Sequence, residues 1–473
     1  MDTWREFAAA AALLSLLIAT PAVAEVVIYP DPGDLSSFQN LRKSERYAVT
    51  VNGRRTTVYA SNNRAGKDVD GRLIPQGYIT DAHFCYFSFS GEAVTLEVTS
   101  PDGRGFTQAS LHPQRLGIKA GVSDGRVCFT MDQPRKIVLK TSDEELHPLV
   151  ILADAPDTDI PSGPNVTRFG PGIHDIGFQR PIRDGETIYI DGGAVVKGTL
   201  RKSKAEGPLQ NFTLRGRGII YGGDNEFFAR SKGWGRGITA WEGGLRQGRI
   251  EGCILLDSVH WNMGFGNSDS TFRNLKIISF YGNTDGVRVG PGSTCRDCFV
   301  MTNDDALLPE GSGAGAVITD CVVWHHKWGN PFKIINLGGE QTGGTHDVTF
   351  RNIDVLHTGS PVFLSPHEYR PSNYPFARKQ APTRHILFEN IYVERAKTLF
   401  QLRPPIGSVL SHVTLRNIHT PVATGIIEGW SATERVEDVT IDGLFVGGEQ
   451  VRSLEETRIK VGPHTTRVTM QAR

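Results

Sequence analysis

The chain has 473 residues, enough for two or three domains. Lys plus Arg and Asp plus Glu number 51 each, so no overall field favours nucleic acid or an anionic membrane; a neutral or weakly charged partner fits better. Apolar residues at 39%, charged residues at 22% and 53 glycines describe a soluble, turn-rich chain of the all-β class.

Residues 1–24 read as a signal peptide. Arg5 sits in a short polar start, an apolar run follows from Phe7 to Ala19, and Ala22-Val23-Ala24 fits the small-x-small cleavage rule. That run is shorter than the roughly 20 residues a membrane-spanning helix needs, and no later segment suits one. The mature chain is expected to begin at Glu25 and to be secreted or periplasmic.

Residues 25–160 show short alternating apolar segments broken by turn residues. Examples are Tyr47–Val51 before Asn52-Gly53, Cys85–Phe89, Ala93–Val98 and Lys136–Lys140. A period of two with Asn-Gly and Asp-Gly punctuation predicts antiparallel strands, and seven or eight of them predict a β-sandwich. A Pro/Asp/Gly-rich stretch, Ala153 to Pro164, separates this module from residues 165–473.

There the pattern becomes one of rungs. Polar-polar-apolar triplets end at Cys253, Leu275, Cys298, Cys321, Ile353, Ile391, Ile418 and Leu444, with early spacings of 22, 23 and 23 residues and later ones stretched by inserted loops. Segments this short and β-branched do not make helical repeats; the period predicts a right-handed parallel β-helix with one turn per repeat. A second strand aligns about ten residues after each triplet: Trp261–Phe265, Asp285–Val289, Asp305–Pro309, Pro331–Ile335, Val362–Ser365, Leu399–Leu402 and Gly425–Glu428. These predict one sheet floored along an elongated groove.

Cys253, Cys298 and Cys321 share a slot that elsewhere holds Leu or Ile, so a buried ladder fits better than a disulfide framework. Cys295-x-x-Cys298 lacks a second pair at zinc-site spacing. Cys85 and Cys128 could pair; the spacing does not decide.

The chemistry gathers at Asn283-Thr284-Asp285 and Asn303-Asp304-Asp305, three acids within 21 residues on successive rungs. Neighbouring strands lie ~4.8 Å apart, so Asp285 and Asp305 are expected side by side with room for one water, and Asp304 towards a different side of the groove. Acids this close keep at least one proton near neutral pH. That equips the site for glycosidic hydrolysis, with Asp304 as general acid and Asp285 with Asp305 as the base pair.

These residues, with His260-Trp261-Asn262, resemble the inverting β-helix glycoside hydrolases, namely the dextranase/isopullulanase family (family 49) and, more distantly, the polygalacturonase family (family 28). Phe169–Gly177 and Ile188–Gly198 look like the helix-opening segment of such proteins, and the resemblance runs from about Phe169 to Leu444. The leading sandwich and Val323–Lys327 running into Asn330-Pro331 look more like the dextranases. The resemblance implies catalytic roles for Asp285, Asp304 and Asp305, a polysaccharide or oligosaccharide substrate such as an α-glucan, and neither metal nor cofactor. The polygalacturonase Gly-His-Gly and Arg-Ile-Lys motifs are missing: His325 and His326 have no flanking glycines, and Lys333 has no arginine before it. Substrate-binding candidates are Trp261, Asn262, Asn283, His325, His326, Lys333 and Glu368; Trp324 and Trp328 are further sugar platforms, and Gln401 and Glu428 outer subsites. Two other classes stay open. One is a carbohydrate-binding or adhesion protein on the same scaffold; the other is a Ca²⁺-dependent lyase with Arg288 or Lys333 as base.

Overall fold

The computed structural model describes residues 24–62, 81–141, 147–224, 237–281, 283–310, 314–326, 328–334, 343–364 and 380–472. The expected signal segment, Lys327 and Glu368 lie outside them. Among the described residues no helix is long and apolar enough to cross a membrane.

Two sheets form the N-terminal sandwich. The larger runs Leu41–Lys43, Val58–Asn62, Asp81–Ser90, Leu149–Asp154, Lys136–Lys140 and Ser110–His112, with Glu25–Val27 added beside Asp81–Ser90. The smaller runs Arg54–Thr56, Ala48–Val51, Val94–Thr99, Arg126–Met131 and Gly121–Ser123. The expectation of antiparallel pairing throughout is corrected at one place: Leu149–Asp154 pairs parallel to Asp81–Ser90.

Both faces of the larger sheet are buried, which accounts for its near-continuous apolar runs. Cys85, Phe87, Ile137, Leu139, Leu149 and Ile151 point into the sandwich core. Phe84, Tyr86, Val138, Val150 and Leu152 point the other way, onto Val195, Ile254, Ile278, Phe299, Met301 and Trp324 of the second module. Polar pairs cross this contact, with Lys276 ion-paired to Asp154 and Arg115 to Asp354, and the His112 ring hydrogen-bonded to Glu394.

The second module is a parallel β-helix. One sheet of 21 strands climbs from Val166–Phe169 to Thr465–Gln471, and a seven-stranded parallel sheet closes the coil. The seven strands are Val287–Val289, Leu307–Pro309, Phe332–Lys333, Phe363–Leu364, Phe400–Leu402, Thr424–Ile427 and Arg458–Val461. Trp261–Phe265, expected as its first strand, is a turn region outside it.

The triplets work as follows. Their last apolar residue enters the core, where Cys253, Leu275, Cys298, Cys321, Ile353, Ile391, Ile418 and Leu444 stack in one column. The residue before it turns the chain in a left-handed backbone conformation: φ is +53° at Asn274, +56° at Asp297, +57° at Asp320, +55° at Asn352, +54° at Asn390 and +53° at Asn417. Asn and Asp tolerate that region best among non-glycine residues. Their side chains also join the rungs, with Nδ2 of Asn352, Asn390 and Asn417 donating to Oδ1 of Asp320, Asn352 and Asn390 at 3.1, 2.9 and 2.7 Å. All six cysteines are free, Cys85 inside the sandwich core and Cys128 exposed.

Candidate active site

Register places the acids. Val287 pairs with Leu307, and the parallel ladder continues back into the turns, where Gly286 N–H donates to the Asp305 carbonyl at 2.8 Å and Ala306 N–H to that of Asn330 at 2.9 Å. Asp285 and Asp305 therefore sit side by side, each two residues ahead of a strand. One carboxylate oxygen from each of Asp285, Asp304 and Asp305 falls within 4.8 Å of the others.

Asp304 is thus not turned towards a different side of the groove. Its Oδ1 accepts the Asp305 N–H at 2.9 Å and its Oδ2 the Asn283 N–H at 3.1 Å, which fold the carboxyl back over the turn to join its neighbours. Gly329 makes room for the arrangement. At φ +65° it approaches so closely that a Cβ would stand 2.3 Å from Asp305 Oδ1 and 2.4 Å from Asp304 Oδ1. Next to it, Asn330 N–H donates to Asp305 Oδ1 at 2.8 Å.

Among the described residues, two buried cations face the acids. Lys333 Nζ lies 2.8 Å from Asp305 Oδ2, and the Arg288 guanidinium bonds Asp285. Asp304 receives backbone donors instead. Burial pushes the Asp285 carboxyl up to about 6, with Arg288 pulling it down and the Asp305 charge adding to the rise. Asp304 stands well above the usual carboxylate range, raised by burial and by the charges of Asp285 and Asp305. Burial works against the Lys333 ammonium, but Asp305 and Asp304 outweigh it and hold its pKa above the ordinary lysine value. The arrangement gathers three carboxyls with oxygens within 4.8 Å of one another, and Asp304 and Asp285 are both shifted towards holding a proton.

Isopullulanase of Aspergillus niger is 24% identical to this chain over 311 residues, covering 56% of the chain and 53% of that protein. Dextranase of Talaromyces minioluteus is 27% identical over 187 residues, covering 36% and 29%. The chain is a homologue of isopullulanase and dextranase. It spans about half the length of the first and under a third of the second. Among solved structures, Dex49A from Penicillium minioluteum matches with a TM-score of 0.64 at 17% identity, over 94% of this chain and 96% of that one, so the fold is shared. No family model matches the chain.

In this isopullulanase and dextranase homologue several expected sugar contacts are interior. Trp261 is 6% exposed, its ring edge-on to Phe265 at 3.8 Å and under the Arg288 guanidinium at 4.5 Å, so its ring packs against an arginine. Asn262 is fully buried; its Nδ2 donates to the Asp285 and Thr284 carbonyls at 2.9 and 3.4 Å, and its Oδ1 accepts Ser279 Oγ at 2.8 Å, which fixes the turn carrying Asp285. His325 is buried with Nδ1 3.0 Å from Thr358 Oγ1 and Nε2 on the Trp328 carbonyl; burial pushes its pKa down to about 4. His326 packs edge-on to Phe280 at 5.6 Å, away from solvent. Trp324 is buried against the sandwich, stacked on His357 at 5.7 Å with Lys140 Nζ 5.0 Å over its ring. Asn283 and Trp328 remain half-buried beside the acids. Glu428 pairs with Arg403 at 2.6 Å.

The groups that sequence reasoning missed are Arg288 as a partner of Asp285, Glu310 behind it, Gly329 and Asn330. Period-two parity from Val287 would have placed Arg288 outward. The glycine before Asn330-Pro331 was the signal for a close backbone approach.

Proposed function

We propose that the protein is a secreted glycoside hydrolase that cleaves a neutral α-glucan by inversion, using Asp304 as general acid and Asp285 with Asp305 as the base pair. One observation carries the reading: three carboxyls converge on two buried cations. With a proton on one of the three, the two remaining charges are balanced by Arg288 and Lys333. Asp304, which forms no salt bridge among the described residues, is the acid to hold that proton. Water held between Asp285 and Asp305 adds to the anomeric carbon as Asp304 protonates the departing glycosidic oxygen; the water's proton passes to the base pair.

Charge complementarity favours a neutral sugar, since Lys333 and Arg288 are both engaged by aspartates and neither offers a free cation to a uronate. The names of the two relatives make dextran and pullulan the first substrates to try. Buried, ion-paired Arg288 and Lys333 also suit a lyase base poorly.

The tight spacing favours a second reading. Simple inverting pairs stand ~6.5–9.5 Å apart and double-displacement pairs ~5–5.5 Å; oxygens within 4.8 Å are nearer the latter. Inversion is preferred because a third carboxyl lets Asp285 and Asp305 hold the attacking water while Asp304 serves as acid, a division that double displacement does not need. The test is incubation with dextran, pullulan, pectin and arabinan, with products profiled by mass spectrometry. Saturated gluco-oligosaccharides support the proposal. Unsaturated products would support a lyase, and binding with no release from any polymer would support a binding protein.

A further inference from the structure

Behind Asp285, Arg288 sits in a group of side chains that the hydrolytic scheme uses only for charge balance. Arg288 is 3% exposed. Its guanidinium carbon stands 4.5 Å from the Trp261 ring centre and 3.9 Å from that of Phe265, and Trp261 and Phe265 also pack edge-on against each other. One end of the fork bonds Asp285; the other lies 3.8 Å from Glu310 Oε1. The main chain is pinned as well, with Asn267 Nδ2 donating to the Arg288 carbonyl at 2.9 Å and Asn267 Oδ1 accepting the Trp241 indole N–H at 2.7 Å.

We infer that Arg288 is a positioning residue for the proposed reaction, clamped by Trp261 and Phe265 so that it fixes both the direction and the charge of Asp285. A buried guanidinium is a poor stabilising device, since apolar residues of similar volume serve as well or better. What it supplies here is a rigid donor that an aspartate on a short turn cannot swing away from. Planar stacking and a fork are properties of arginine that lysine lacks. The groups facing Asp285 and Arg288 are Asp304, Asp305 and Lys333 from the following rungs, Glu310 from the strand end alongside, and His260, edge-on to Trp261 at 4.6 Å, from the preceding turn. Among the described residues, only Arg288 forms an ion pair with Asp285.

This inference rests on the hydrolase reading, and the experiment separates the two. Wild type, Arg288→Lys and Arg288→Met are compared as full-length protein for kcat, KM, the pH profile of kcat/KM and melting temperature. Carboxyl titration is followed by infrared difference spectroscopy, with Asp285→Asn to assign the band. Arg288→Met should lower kcat on the order of 100-fold, the scale of a small misplacement of a reacting group, with KM changed less than threefold. Its acid limb and the Asp285 band should both move to higher pH. Arg288→Lys should keep the limb near its wild-type position, because the charge remains, while still losing about tenfold in kcat. Variants that melt like wild type and keep its kcat and Asp285 titration would overturn the inference. Should Arg288→Met fail to fold, Arg288→Lys at wild-type kcat would do the same. An Asp285 band that shifts in a protein inactive on every polymer would instead sink the hydrolase reading and leave the positioning role standing.

Discussion

Replacing Asp304 with Asn tests the acid assignment most sharply, because the structure limits what else the change can do. Asn is nearly isosteric, and its Oδ1 can still accept the Asp305 N–H now bound at 2.9 Å. Its Nδ2 would face the Asn283 N–H, which Asp304 Oδ2 accepts at 3.1 Å, so one half-buried donor loses its partner. That costs about 1–3 kcal/mol, offset in part by removing an acid that its neighbours repel. The fold should therefore survive. Chemistry should not: positioned proton donation contributes roughly 10²–10⁴-fold, or about 3–5 kcal/mol of barrier. Initial rates on the natural glucan should fall by that factor. On an aryl glycoside whose leaving group departs without a proton, the loss should shrink to about tenfold or less, because the missing proton is no longer needed. Equal losses on both substrates would refute the assignment, as would selective rescue of Asp285→Asn.

Other expectations follow from the same geometry. The base must be ionised, so kcat/KM should fall about tenfold per unit below pH ~6, where burial has moved Asp285, and decline again on the alkaline side as Asp304 loses its proton. A profile flat from pH 4 to 6 would contradict this. Gly329→Ala introduces a Cβ 2.3–2.4 Å from carboxylate oxygens of Asp305 and Asp304 at a φ of +65°, so kcat should drop at least tenfold on the scale of an ångström-sized displacement; wild-type kinetics would show that the site relaxes freely. Asn390→Ala removes one ladder donor and one acceptor at a left-handed position, and denaturant titration should show a loss of about 1–3 kcal/mol with activity retained at moderate temperature.

The fold was legible because its determinants are local and periodic. Cys253, Leu275, Cys298 and Cys321 mark one core column, and a fixed repeat leaves few ways to stack them. The bend beside that column was visible as Asn or Asp without being read as a left-handed residue. The parallel pairing of Leu149–Asp154 with Asp81–Ser90 was hidden, since alternation shows that a strand has two faces and says nothing of its direction. At the site, the register brings Asp285 and Asp305 together, while Lys333, a candidate substrate contact on the next rung, is engaged by Asp305 instead. Asp304 was misdirected because two backbone N–H groups, rather than strand parity, orient its carboxyl. Residue type and place near the family motifs suggest sugar contacts at Trp261, Trp324, His325 and His326; burial depends on what packs over them, and the sandwich that covers Trp324 lies far away in sequence.

The central claim, that three clustered acids hydrolyse a glycosidic bond in one displacement, is tested most directly by proton NMR of the reducing end in the first minutes of α-glucan cleavage. A β-anomer appearing first and mutarotating to α is the predicted result. An α-anomer appearing first would establish double displacement and contradict the account.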